Sequence, residues 1–137
     1  MPILLEIVLP ATLENLPVFL EGLTNCARDQ GFPPKKISDL ELALEEALVN
    51  VINYAYPESK GDVSVCCRMD PPNLIIEIID SGLPFNPLSK DDPDLLLDLD
   101  ERKIGGYGVF LIKTLIDEVT YQRENNQNIL TLIVYPT

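Results

Sequence analysis

The sequence predicts a single α/β domain over residues 1–137, a two-layer α/β sandwich in which three helices cover one face of a mixed sheet of about five strands. Two features of the chain carry this prediction. Short runs rich in branched apolar residues alternate with longer segments in which apolar residues recur every three or four positions, the spacing of a helix face. With 137 residues, of which 46% are hydrophobic, the chain is also large and apolar enough to bury one ordinary core.

The first half of the chain supplies one strand and two helices. Residues 3–9 are rich in branched residues, which is typical of a strand. Residues 13–30 place leucines on one helical face, and a glycine followed by two prolines then ends the element. Residues 38–55 are the clearest helix, because Ser38 and Glu41 have capping-box spacing and a broad apolar face follows them.

The second half supplies the remaining strands and one helix. Residues 74–79 are apolar on both faces, which predicts a central strand. Residues 81–105 lack a clean period, and so long a loop in a compact domain is usually functional, for example a lid. We expect one helical turn within it, near 95–99. The other predicted elements are a strand at 62–69, a helix at 106–117 that opens on glycines, and a hairpin of strands 118–124 and 129–135 around a turn at 125–128.

Composition excludes several classes of function. The net charge of −12 disfavours direct nucleic-acid binding, since phosphate contacts need lysine and arginine. The cysteines (Cys26, Cys66 and Cys67) lack metal-ligand spacing and the chain has no histidine, so we expect reduced cysteines and no His-ligated zinc. No run is apolar enough to cross a membrane, and the first residues are typical of a strand rather than a secretory signal. These features predict a cytoplasmic protein without membrane or nucleic-acid partners.

The helix 38–55 carries the first of three chemical signals. Glu46, Asn50 and Asn53 fall on one stripe, roughly opposite the main apolar face. Asparagine is a poor helix former, so two of them three residues apart in a helix interior are unexpected. A carboxylate one turn from a carboxamide offers oxygens to a hydrated Mg²⁺ with its phosphates, and it also offers a base. The same pattern fits a solvated polar face.

The second and third signals follow the central strand and precede the last helix. Asp80, at the strand end, is placed to accept a hydrogen bond from an exocyclic amine such as the adenine N6, and Gly82 lets a flat ring approach the backbone. An ordinary Asp-Ser-Gly turn is the alternative. Residues 105–108, Gly-Gly-Tyr-Gly, open a helix with N–H groups that can bind phosphate. A flexible hinge before the helix is the alternative there.

The order and separation of these signals resemble one family over nearly the whole chain, most tightly from Leu40 to Tyr121. The matching stretches are Glu45-Glu46-Ala47-Leu48-Val49-Asn50, Asp80-Ser81-Gly82-Leu83-Pro84-Phe85-Asn86-Pro87, and Gly105-Gly106-Tyr107-Gly108-Val109-Phe110-Leu111-Ile112. They resemble the histidine-kinase-like ATPases (the GHKL superfamily), and more narrowly the bacterial anti-sigma-factor serine kinases. The resemblance implies the Bergerat ATP-binding fold, with 86–105 as the ATP lid.

The resemblance also implies residue roles around bound ATP and Mg²⁺. Asn50 would ligate the Mg²⁺, and Glu46 would take the proton from a substrate serine. Asp80 would hold the adenine amine, with Gly82 beside the ring. Arg102 or Lys103 would neutralise charge that develops on the γ-phosphate. The other implied nucleotide-binding residues are Asn53, Phe85, Gly105, Gly106, Tyr107, Gly108, Val109 and Thr131.

The resemblance implies a homodimeric serine/threonine-protein kinase that regulates transcription by partner switching. It would bind a sigma factor and would phosphorylate a serine of a STAS-type anti-sigma-factor antagonist. The chain departs from the family at Tyr54, where many members have a histidine four residues after the Mg²⁺-binding asparagine. Three alternatives stay open: a non-catalytic ATP-dependent binding module, a slow ATPase that activates water at Glu46, and an interaction domain with a degenerate site.

Overall fold

The computed structural model describes residues 2–89 and 106–137 of the chain. It confirms the predicted two-layer α/β sandwich, with helices packed on one face of a five-stranded sheet. The predicted helical turn at 95–99, and the predicted lid beyond residue 89, lie outside the described residues. The helices and strands are β1 (Ile3–Pro10), α1 (Leu16–Asp29), α2 (Pro34–Tyr54), β2 (Asp62–Asp70), β3 (Asn73–Asp80), α3 (Gly106–Leu115), β4 (Glu118–Glu124) and β5 (Gln127–Val134).

The sheet is antiparallel throughout, so the prediction of a mixed sheet was wrong. Its strands are ordered β1-β2-β3-β5-β4, and each neighbouring pair is antiparallel. Helices α1 and α2 lie between β1 and β2 in the chain, and the two strands pair antiparallel. Short turns join β2 to β3 and β4 to β5, and such turns can only connect antiparallel strands. As predicted, β3 is the central strand.

Most element boundaries lie within three residues of the prediction, and two of the differences change how the sequence is interpreted. Helix α2 begins at Pro34, because proline at the first helical position loses no hydrogen bond, so Ser38 lies within the helix and the predicted capping box is wrong. The hairpin turn is also shorter than predicted. Asn125 and Asn126 form it alone, with φ values of 54° and 62° that asparagine tolerates in two-residue hairpin turns, and β5 already begins at Gln127.

The core lies between the helices and the inner face of the sheet. Alternate residues of β3 and β5 face the helices, as do the predicted apolar positions of α2. The inward series of β3 ends at Asp80, so a carboxylate lies at the edge of an otherwise apolar core. No helix within residues 2–89 and 106–137 is long and apolar enough to span a membrane.

Candidate functional site

A pocket lies where the second half of α2 meets the ends of β3 and β5. It encloses about 30 Å³. Among the predicted site residues, it brings together Asn50, Asp80 and Phe85. The full lining comprises Ala47, Asn50, Val51, Ala55, Ile78, Asp80, Phe85, Pro87, Tyr121, Asn128 and Leu130.

Asn50 lies inside this pocket, which corrects the prediction that its stripe faces away from the apolar side of the helix. Its side chain is 7% exposed, beside Ala47 and Val51. Within the described ranges, its Nδ2 is the one buried side-chain nitrogen or oxygen that has no hydrogen-bond partner. An unsatisfied buried polar group costs on the order of 1–3 kcal/mol, so a ligand that bonds this amide would recover that free energy.

Glu46 and Asn53 lie one turn to either side of Asn50 and have different surroundings. Glu46 is half-buried, and burial together with the charge of Glu45 raises the pKa of its carboxyl above the ordinary value. A carboxylate with a raised pKa is better matched to proton transfer near neutral pH. Asn53 is exposed and does not line the pocket. The structure therefore places Glu46 one turn from Asn50 along the helix, but neither Glu46 nor Asn53 lines the pocket.

Asp80 is buried at the opposite wall, with 6% of its surface exposed. Its Oδ1 accepts hydrogen bonds from the Gly82 N–H at 2.9 Å and from Asn128 Nδ2 at 2.9 Å. Both bonds that the structure gives this carboxylate among the described residues end on Oδ1. The second oxygen, Oδ2, is thereby left for a donor that enters the pocket.

Gly82 has a packing requirement that sequence reasoning did not foresee. A Cβ at this position would lie 2.2 Å from the carbonyl oxygen of Ala55, at the end of α2. The same carbonyl accepts a hydrogen bond from the Leu83 N–H at 2.9 Å. The glycine thus permits close contact between the β3 exit and the helix backbone, while its predicted contact with a purine ring stays a prediction.

The segment that follows Asp80 is bonded at nearly every residue. The ring of Phe85 stacks on Tyr54, with centroids 5.4 Å apart. The backbone bonds run from the Ser81 N–H to the Tyr56 hydroxyl (2.9 Å), from Arg123 to the Gly82 carbonyl (2.8 Å), from Asn128 Nδ2 to the Leu83 carbonyl (2.8 Å) and from the Phe85 N–H to Asn128 Oδ1 (3.3 Å). Ligand pockets usually measure about 300 Å³ or more, so a nucleotide would need more room than this pocket encloses.

Asn128 is the functional candidate that sequence reasoning missed. The predicted turn 125–128 absorbed it, whereas the two-residue turn makes it the first inward residue of β5, directly opposite Asp80. Recognising Asn125-Asn126 as a complete hairpin turn would have revealed this, because alternation then places Asn128 on the helix-facing side. By the same alternation, Thr131 lies on the other face of β5 and does not reach the pocket.

The predicted phosphate-binding segment is described only in part. Helix α3 begins at Gly106, which confirms a helix that opens on glycines. Arg102, Lys103 and Gly105 lie outside the described residues, and the side chains of Tyr107 and Val109 are likewise outside the description. The binding roles of these residues, and of Gly108, stay predictions.

The residues present fit a nucleotide with Mg²⁺. Within residues 2–89 and 106–137 no three acidic or cysteine side chains converge as a metal cluster. Magnesium usually binds proteins through one or two oxygens while phosphates and waters complete its shell, so one carboxamide oxygen suffices. The unpartnered atom of Asn50 is Nδ2, a donor that fits a phosphate oxygen, whereas the cation could be ligated only by Oδ1 of the same amide.

Comparison with known proteins places the chain in one class. Residues 9–134 match the family described as the histidine kinase-like ATPase domain. The chain belongs to this family, which confirms the family that the sequence signals predicted.

Two kinds of relative carry more specific names. The chain is 27% identical over 130 residues to proteins named serine-protein kinase RsbW from Bacillus cereus and Bacillus anthracis, covering 92% of this chain and 81% of each relative. A Mycobacterium tuberculosis structure of RsbU and RsbW domains matches with a TM-score of 0.69 and 20% identity, over 98% of this chain and 32% of that one. A Pseudomonas aeruginosa SiaB–SiaC complex matches with a TM-score of 0.60 and 15% identity, over 96% and 89% of the two chains. These two likenesses establish the fold.

Proposed function

We propose that this chain is an ATP-dependent serine protein kinase that also acts as an anti-sigma factor in a partner-switching module. Its substrate would be a serine of a STAS-type anti-sigma-factor antagonist. One observation carries the proposal. The same pocket contains Asn50, whose Nδ2 has no partner among the described residues, and Asp80, whose hydrogen bonds there all end on Oδ1. The names of the Bacillus relatives support the serine-kinase activity.

The Asp80 side of the pocket would bind adenine. Oδ2 of Asp80 would accept a hydrogen bond from the exocyclic amine. A hydrogen bond to an ionised acceptor is stronger than one between two neutral groups. The apolar lining from Val51, Ile78 and Leu130 would cover the faces of the ring. ATP would therefore lie with its base against β3 and its phosphates toward Asn50 and the glycines that open α3.

The Asn50 side would bind phosphate and metal. Asn50 would contribute its carboxamide oxygen to Mg²⁺, which when bound would neutralise charge on the phosphates. Glu46, one turn earlier on α2, would accept the proton of a substrate serine as its Oγ bonds to the γ-phosphorus and the bond to the β,γ-bridging oxygen breaks. The products would be phosphoserine and ADP. Either Arg102 or Lys103 would neutralise the charge that develops during transfer.

The partners would be proteins, and the assembly would be a homodimer. The charge of −12 disfavours nucleic acid and favours basic protein surfaces. The likeness to SiaB, solved as a complex with SiaC, supports a protein partner. Strand β1 lies at the sheet edge and leaves Leu4 and Val8 exposed, which supports pairing of two copies. Phosphorylation would release the antagonist because it adds negative charge at the interface.

The test is phosphorylation of the STAS-domain protein encoded nearest to this chain in its genome. Wild type is expected to place phosphate from ATP on a serine of that protein. Glu46→Gln should lower the rate by roughly 10²–10⁴-fold, since a general base contributes about this much, and should change ATP affinity by less than about threefold. Glu124→Gln, on the exposed hairpin, is the matched control and should behave as wild type.

The alternatives predict different products. A slow ATPase would release phosphate and leave the partner protein unmodified. A binding module would bind ATP without consuming it, and Glu46→Gln would then have no effect. Failure of the wild-type chain to bind ATP at millimolar concentration would contradict all three readings and leave an interaction domain.

A further inference from the structure

The side chain of Asn128 is buried and makes every hydrogen bond that a primary amide can make. It is 6% exposed. Its Nδ2 donates to Asp80 Oδ1 at 2.9 Å and to the Leu83 carbonyl at 2.8 Å. Its Oδ1 accepts from the Phe85 N–H at 3.3 Å and from the Tyr121 hydroxyl at 2.5 Å. Two donated and two accepted bonds are what a primary amide can make in full.

The chemistry of these partners fixes the amide in one orientation. The Asp80 carboxylate and the Leu83 carbonyl can only accept, and the Phe85 N–H can only donate. Turning the amide over would set its oxygen against the Asp80 carboxylate and its nitrogen against the Phe85 N–H. The assignment of oxygen and nitrogen in Asn128 therefore follows from the network, and the amide cannot adapt to a different ligand without breaking bonds.

This arrangement constrains Asp80 in turn. Asn128 and the Gly82 N–H both hold Oδ1, so rotation of the carboxylate about its terminal torsion would break two bonds in a buried site. Oδ2 is then presented to the pocket as a pure acceptor. Because Asn128 also holds Leu83 and Phe85, one amide links the acceptor of the pocket to the segment that forms its wall.

We propose that Asn128 is a positioning residue that sets the base specificity of the pocket, by holding Asp80 so that Oδ2 accepts a hydrogen bond from the 6-amino group of a purine. The inference rests on the proposed nucleotide site and adds the residue that makes it selective for 6-aminopurines. Tyr121 contributes to this positioning. Its hydroxyl donates a hydrogen bond to the Asn128 oxygen, and rotation of the amide would break that bond.

The test compares two nucleotides that differ only at the 6-position. The full chain is titrated calorimetrically with ATP and with purine riboside triphosphate, in which hydrogen replaces the 6-amino group, both with Mg²⁺. Wild type is expected to prefer ATP by about 10- to 100-fold, the value of one hydrogen bond to a charged group. Asn128→Ala should reduce that preference to less than about threefold, because water can then reach Asp80 and the carboxylate can rotate.

The ratio of the two affinities separates positioning from general damage. A merely structural role would weaken both nucleotides in proportion and leave the ratio as in wild type, which would overturn the inference. Tyr121→Phe removes only one hydroxyl and should lower the ratio by a smaller factor, so it decides the case if Asn128→Ala binds neither nucleotide. Tyr135→Phe, which removes a hydroxyl bonded to Glu118 outside the pocket lining, should leave the ratio unchanged.

Failure of this inference and failure of the proposed function give different results. If wild type prefers ATP over purine riboside triphosphate while Asn128→Ala and Tyr121→Phe keep the same affinity ratio, that result overturns the role of Asn128 alone. Wild type that binds the two nucleotides equally overturns the role of Asp80 as well. Wild type that binds neither nucleotide overturns the nucleotide site, and the specificity inference with it.

Discussion

The two ends of the pocket differ in how far the protein satisfies its own polar groups. At the strand end, formed by Asp80, Asn128 and Tyr121, hydrogen bonds join the three side chains to one another and to the chain that follows β3. At the helix end, the amide nitrogen of Asn50 has no partner among the described residues, and burial raises the pKa of Glu46, which lies one turn earlier on α2 and outside the pocket lining. One end is preorganised, whereas the other is left unsatisfied by the described part of the chain.

This difference indicates what a ligand would contribute at each end. An acceptor that is already held in place needs no reorientation of its own, even where the pocket around it must widen, and it discriminates between ligands because a wrong ligand leaves buried groups unpaired. An unsatisfied amide and a partly desolvated carboxylate instead reduce the stability of the free protein. Natural proteins often sacrifice stability in this way where function requires it. The comparison predicts that substitutions at the strand end mainly change affinity, whereas substitutions at the helix end can separate affinity from stability.

The largest expected effect on affinity is that of Asp80→Asn. The variant keeps an oxygen that can accept from the Gly82 N–H, but it replaces the free acceptor with an amide that opposes the purine amine. We expect ATP affinity to fall by about 100-fold, measured by calorimetry, since hydrogen bonds to ionised groups contribute roughly 1.5–3 kcal/mol. Asp70→Asn, at the exposed end of β2, is the control and should bind as wild type. Equal affinities in the two variants would contradict a base site at Asp80.

A smaller effect is expected at Asn50, where a substitution should maintain or raise the stability of the free protein instead of lowering it. Asn50→Ala removes an unpaired buried amide, so we expect the free energy of unfolding to stay constant or rise by about 1 kcal/mol in urea denaturation. The same variant should abolish the Mg²⁺ dependence of ATP binding. Asn53→Ala on the same helix is the matched control: it gains a similar helix propensity but removes no buried group, and it should retain Mg²⁺-dependent binding. A clear loss of stability in Asn50→Ala would show that the amide has a partner in the folded protein.

Sequence reasoning reached the architecture and part of the pocket, and the reasons for its errors are local. Periodicity located the strands and helices, and motif order identified the family through Glu46, Asn50 and Asp80. The mixed-sheet prediction failed because it depends on which strands are neighbours: β3 and β4 run in the same direction, but β5 lies between them and pairs antiparallel with both. Asn128 was missed because asparagine is a common turn residue, so the predicted turn took in residues 125–128. Strand β5 instead begins at Gln127 and includes Asn128, which pairs with Asp80.

The smallest expected effect concerns the acid side of the pH profile. Glu46 can accept a proton only when ionised, and its raised pKa moves the loss of activity on acidification to higher pH than an ordinary glutamate would give. Glu45 contributes to that shift through its negative charge. Glu45→Gln removes the repulsion and favours the ionised form of Glu46, so the acid limb of phosphoryl transfer should move to lower pH. Glu41→Gln, exposed one turn earlier on α2, should leave the limb in place. If both variants shift the acid limb equally, the shift reflects the overall charge of the helix. It would then not identify Glu46 as the general base.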